Sequence, residues 1–104
     1  MYLENPADIF DCIHGIEAVR TDCSKDCVYD VFIVLDTSKE RLGDAEKYFR
    51  TAKKTINVDH HISNASGCGD VNYCKPDASS ASELVYELLE EKYMDAEIAK
   101  ALYL

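Results

Sequence analysis

The chain has 104 residues, enough for one small domain around one hydrophobic core and too few for two. It is 47% hydrophobic and 30% charged, with four glycines and two prolines, an ordinary globular composition that excludes a fibrous or low-complexity protein. A formal net charge of -9 argues against broad attraction to duplex nucleic acid, although a bound divalent cation can reverse the sign locally.

The charge is unevenly spread. Residues 1–30 hold seven acidic and two basic groups, and residues 63–104 hold eight and three, whereas residues 31–62 carry six basic against five acidic. The middle third is therefore the part least repellent to anions. No apolar run approaches the roughly 18 residues of a membrane span, and the start MYLENPADIF lacks the basic and hydrophobic regions of a signal sequence, so no membrane association and a cytoplasmic location are expected. The five cysteines are an odd set whose spacings fit neither paired zinc knuckles nor a CxxC redox pair; reduced, largely structural thiols are expected.

In chain order, Pro6 to Gly15 suits a short helix with Ile9, Phe10 and Ile13 on one side and Gly15 as its stop. IEAVR, Ile16 to Arg20, alternates loosely and predicts a short strand, followed by a polar loop, DCSKDC. VFIVL, Val31 to Leu35, is the clearest strand, and its unbroken apolar run suggests cover on both faces. In DAEKYFRTA, Ala45, Tyr48, Phe49 and Ala52 fall on one helical face. TINV, Thr55 to Val58, is the next strand.

Nineteen residues, Asp36 to Lys54, separate these two strands, a length that suits a helix-bearing crossover and parallel pairing. Asp36 and Asp59 would then emerge at the same sheet edge. A Gly/Ser/Asn-rich loop leads to a short strand near Val71 to Cys74. Ser80 and Glu83 then have capping-box spacing before a helix with Leu84, Val85, Leu88, Leu89 and Tyr93 as its stripe. Asp95 caps a last helix with Ile98, Ala99, Leu102 and Tyr103 inward. That apolar stripe reaches the last residue without a polar tail, so packing partners are expected beyond it. The fold class is α/β, an open, mostly parallel sheet with flanking helices, and about half of such a domain.

Ligands of open α/β sheets commonly bind beyond the C-terminal strand ends, where Asp36, Asp59, His60 and His61 would lie. An adjacent histidine pair alone is more often a loop feature than a metal site. A strand-terminal aspartate on the neighbouring strand shifts the balance, because carboxylate and imidazole together suit first-row ions such as Mn2+. Asp36 would hold a metal from a strand end, and His60 could give it one nitrogen while an acceptor holds the other; His61 could instead meet a phosphate oxygen. Two such ions about 3.5–4 Å apart activate water and neutralise charge at phosphorus, but these residues do not complete two coordination shells.

Around this edge, Arg41 is either a phosphate ligand or a solvated helix-start residue. Asn64 either holds its loop or touches substrate. Ser79 and Ser80 are helix caps that could also meet phosphate. Cys68 is a weak nucleophile candidate without an orienting third group, and His14 reads as structural.

The segments VFIVLDTSKERLG, TINVDHHISN and NYCKPDASSASELVYELL together resemble the DHH family of phosphoesterases, most closely the branch acting on short oligoribonucleotides and 3'-phosphoadenosine-5'-phosphate. The resemblance implies a sheet edge binding two Mn2+ ions, with short RNA and nucleotide phosphates as partners in the complete enzyme. It implies Asp36 and His60 as metal ligands, His61 as the residue at the reacting phosphate and Asp59 as the group orienting the histidines. It offers Arg41, Asn64 and Ser80 as supports for substrate or site. The family's HxxPDxDxxGS metal motif is missing here, as are a later aspartate motif and a substrate-binding domain. An internal part of a DHH domain, with weak metal binding and little activity by itself, is therefore expected. Other substrate classes of the same superfamily, cyclic dinucleotides or pyrophosphate, and a non-catalytic self-associating domain are the alternatives.

Overall fold

Residues 7–104 are described by a computed structural model. Three parallel strands form one sheet in the order β1-β2-β3: β1 is Val31–Leu35, β2 is Lys54–Asp59 and β3 is Val71–Cys74. Ile33 pairs with Ile56 and Leu35 with Val58, and Ile56 pairs with Val71 and Asp59 with Cys74. The crossover from β1 to β2 contains a 3-10 turn at Lys39–Arg41, another at Gly43–Ala45, and helix α1, Glu46–Thr51. Helix α2, Ala81–Leu88, and helix α3, Ala96–Tyr103, follow β3. The α/β architecture with flanking helices is thus the one expected.

Strand alternation assigns the core. Phe32 and Val34 point to one face, where Phe32 meets Phe49 of α1 edge-on at 6.1 Å between ring centroids, and Val34, Ala45 and Tyr48 are buried. Tyr48 also donates its hydroxyl to the Lys25 carbonyl, tying the preceding loop to α1. On the other face Val58 is buried, and beside it Tyr73 donates its hydroxyl to Glu87 of α2. Leu84 of α2 is fully buried.

Several local expectations are corrected. Ile16–Ala18 is a 3-10 helix rather than a strand, because Gly15 turns the chain at φ 90 and only Arg20 makes a bridge. The first helix is a 3-10 segment at Asp8–Cys12; Pro6 lies outside the described residues. The β1 strand is not covered on both faces: Val31, Ile33 and Leu35 are about half exposed and join Val71 in an apolar surface. Helix α2 ends at Leu88, leaving Tyr93 in an exposed 3-10 turn. Its last turn has no basic residue, and Glu87, Glu90 and Glu91 oppose the negative end of the helix dipole. In α3, Ala99 and Tyr103 are exposed, and Ile98 and Leu102 carry the packing. No described helix is long and apolar enough to cross a membrane.

Candidate metal centre

The site grows out of the parallel pairing. Beyond Leu35, the Asp36 N–H still donates to the Val58 carbonyl at 3.0 Å, extending the ladder by one rung. Asp36 then adopts φ 58, a left-handed conformation that an aspartate tolerates better than most residues because its side chain is short and polar. The chain turns away and leaves the carboxylate at the sheet edge, 58% exposed. On the adjacent strand Asp59 ends β2 and is only 1% exposed.

Every acceptor position that matters on Asp59 is used. Its Oδ1 accepts from the backbone N–H of His60 at 2.8 Å and of His61 at 3.1 Å, and from His61 Nδ1 at 2.7 Å. Its Oδ2 accepts from Asn64 Nδ2 at 2.6 Å. Burial alone would push the Asp59 carboxyl up, but the bonds from Asn64, the His61 ring and the two backbone N–H groups outweigh it and hold it below the ordinary carboxylate range. A carboxylate has no proton to give, so His61 donates from Nδ1, and in the neutral ring this leaves Nε2 as the acceptor atom.

His60 is set by a different acceptor. Its Nδ1 lies 3.3 Å from the Ala78 carbonyl oxygen, which can only accept, so Nδ1 is the donor and, in the neutral ring, Nε2 is the lone-pair atom. That Nε2 is 3.3 Å from Asp36 Oδ1. A lone pair facing a carboxylate is repulsive unless a proton or a cation lies between them. Two donors each about 2.1 Å from one ion and roughly at right angles would be about 3 Å apart, close to the separation seen. Asp36, His60 and His61 form a group whose donor atoms lie within 4.8 Å of one another. Their oxygen and nitrogen atoms fit a divalent first-row ion.

A profile of the DHH family, N-terminal domain, matches residues 2–104. The chain belongs to the DHH family. No curated protein matches it. In this DHH-family chain the Asp-His-His stretch for which the sequence stands out therefore sits at the C-terminal edge of a parallel sheet, next to the aspartate that ends the neighbouring strand.

The remaining expected residues divide. Asn64 is 9% exposed, and its amide hydrogens are divided among Asp59 Oδ2, Asn57 Oδ1 at 2.9 Å and the Thr37 carbonyl at 3.2 Å. Arg41 is exposed on the turn after β1 and forms no ion pair with another described residue. Ser80 caps α2, its Oγ accepting from the Glu83 N–H at 3.1 Å. Ser79 donates both its N–H and its hydroxyl to Glu83 Oε2, so the protein's own carboxylate occupies the helix start. His14 lies in an exposed turn outside the cluster. The Cys68 thiol is pushed up by burial, and that of Cys74 by burial and the nearby Asp59 charge, which disfavours either as a nucleophile.

Sequence reasoning missed Asn57, the Ala78 carbonyl and the Thr37 carbonyl. The two carbonyls belong to the backbone and leave no mark in a sequence. Asn57 did leave one: an amide inside an apolar strand, where asparagine is disfavoured unless something buried needs it.

Proposed function

We propose that the chain carries the central part of the metal site of a manganese-dependent phosphoesterase, which hydrolyses short oligoribonucleotides and 3'-phosphoadenosine-5'-phosphate in the cytoplasm. The observation that carries this reading is His60 Nε2 held 3.3 Å from Asp36 Oδ1 within a DHH-family chain. Asp36 and His60 hold metal, Asp59 fixes the His61 ring, and His61 Nε2 is the atom left to meet the phosphate. Arg41 is available to grip phosphate oxygens, while Asn64 acts through Asp59 and Ser80 caps the helix that follows Ala78. When bound, divalent ions supply an activated water and neutralise charge developing at phosphorus. Three clustered donors fill neither shell of a two-ion centre, so we assign the other ligands and the substrate-binding domain to parts of the protein outside these residues. The isolated chain is then a weak metal binder with little turnover.

The test is a substrate panel at fixed Mn2+ with the chain in its complete protein: a short RNA, 3'-phosphoadenosine-5'-phosphate, a cyclic dinucleotide and pyrophosphate. Hydrolysis of the first two, lost on Asp36→Ala and on His60→Ala, supports the reading. Wild-type turnover in both variants overturns it, and hydrolysis of only the cyclic dinucleotide or pyrophosphate moves the protein to another substrate class.

The apolar surface of Val31, Ile33, Leu35 and Val71 favours a second reading, a non-catalytic domain that self-associates. Stable oligomers by sedimentation, with no Mn2+ binding, would select it.

A further inference from the structure

Behind the site lies a pair of buried amides. Asn57, fully buried in β2, donates through Nδ2 to the Val34 carbonyl at 3.3 Å and the Thr37 carbonyl at 3.2 Å. Its Oδ1 accepts from Asn64 Nδ2, and from the Cys68 N–H at 3.2 Å. Asn64 in turn donates to Asp59 Oδ2 and to the same Thr37 carbonyl.

We infer that Asn57 and Asn64 are positioning residues for the metal site, holding Asp36 at its turn and, through Asp59, fixing the ring proton of His61 on Nδ1. The inference rests on the metal-site reading for its consequence in function, but its geometry does not. Thr37 follows the left-handed Asp36, and its carbonyl receives both amides, so the turn that presents the Asp36 carboxylate is clamped from β2 and from the loop after it. At Asp59, Oδ1 faces the histidines while Oδ2 is held by Asn64. Removing that donor leaves the carboxylate held through Oδ1 alone, by the two backbone N–H groups and the His61 ring, so its plane is less firmly fixed against His61 Nδ1. Removing Asn57 takes away the oxygen that orients the Asn64 amide. One network thus reaches both ligand-bearing turns, and neither asparagine need touch a metal or a substrate.

A purely structural role would cost stability and leave the imidazole alone. Imidazole 15N shifts of the histidine-labelled, metal-free full chain separate the two, because they report which ring nitrogen carries the proton. The measurement is made near pH ~8.5, about two units above the ordinary histidine value. Wild-type His61 is expected as the Nδ1–H form. Asn57→Ala and Asn64→Ala should each shift it toward a mixture with the Nε2–H form and weaken Mn2+ binding by about tenfold or more, the usual scale for groups that orient ligands. Asn64→Ala, which leaves the fully buried Asn57 in place, carries the test if the Asn57 variant does not fold. Tyr48→Phe, which loses a hydrogen bond outside the network, should lower stability without moving the ring signals. A wild-type His61 already protonated on Nε2, or one unmoved in folded Asn64→Ala protein, overturns the inference. If the complete protein neither binds Mn2+ nor hydrolyses the substrate panel while the ring still follows the asparagines, the proposed function falls and the network stands; Mn2+-dependent hydrolysis with an unmoved ring gives the reverse.

Discussion

Asp36 and Asp59 end neighbouring parallel strands, yet the Asp36 side chain is 58% exposed and the Asp59 side chain 1%. Asp36 faces the two histidine rings with most of its carboxylate in solvent, whereas Asp59 spends its oxygens on four protein donors. Adjacent positions at one sheet edge therefore carry different chemistry, and substitutions should separate them.

Asp36→Asn keeps the left-handed turn and removes the charge. Unfolding free energy should change by no more than about 0.5 kcal/mol, as at other exposed positions. Mn2+ affinity should fall at least about tenfold, which titration calorimetry on the same samples would check. Asp36→Ala should cost a further ~1 kcal/mol or so through the φ 58 backbone.

At Asp59 the order reverses. Asp59→Asn replaces a buried charged acceptor with an amide whose NH2 confronts other N–H groups, and should destabilise by about 2 kcal/mol in urea unfolding.

Asp70 gives a pH-dependent effect. Its Oδ2 accepts from the Thr55 N–H at 2.8 Å and the Thr55 hydroxyl at 3.1 Å, and these bonds, the backbone one first, hold its carboxyl below the ordinary range. A depressed folded-state value means a stabilising contribution that is fully present above the unfolded value of about 3.9 and lost as pH falls through the folded one. The gap in unfolding midpoint between wild type and Asp70→Asn should be constant near neutrality and shrink below about pH 4.

Leu84 is fully buried in α2, and Leu84→Ala should cost about 2–5 kcal/mol, a large share of the stability of so small a domain. Loss of the cooperative thermal transition would be the visible result.

Ile33 is 54% exposed at the centre of the open apolar face. Ile33→Lys should reduce binding of a hydrophobic dye and shift any oligomer toward monomer in sedimentation velocity, because a charge on an edge strand opposes association. An unchanged sedimentation profile for an oligomeric wild type would place the contact elsewhere.

Much of this arrangement was legible in the residues. The runs VFIVL and TINV and the long connection between them implied parallel pairing, and that pairing placed Asp36 beside Asp59. Ser80 and Asp95 announced their helices because a capping side chain must sit at the N-terminus. Ile16 to Arg20 misled because a few alternating residues are too short to outweigh the turn set by Gly15. The exposure of β1 could not be read at all, since an apolar run states what a strand could bury and not what lies over it. The ring orientations of His60 and His61 depend on a carbonyl, a buried carboxylate and an amide brought together only by folding.

The parallel register of β1 on β2 has a thermodynamic consequence. Asp36 and His60 are distant along the chain and meet only when Leu35 pairs with Val58. A cation held by both is then a reversible cross-link that closes the intervening crossover loop, and it binds the folded chain in preference to the unfolded one. Such a ligand at a hundred times its Kd adds about 2.7 kcal/mol to the unfolding free energy. Excess metal would then raise the unfolding midpoint of this small chain.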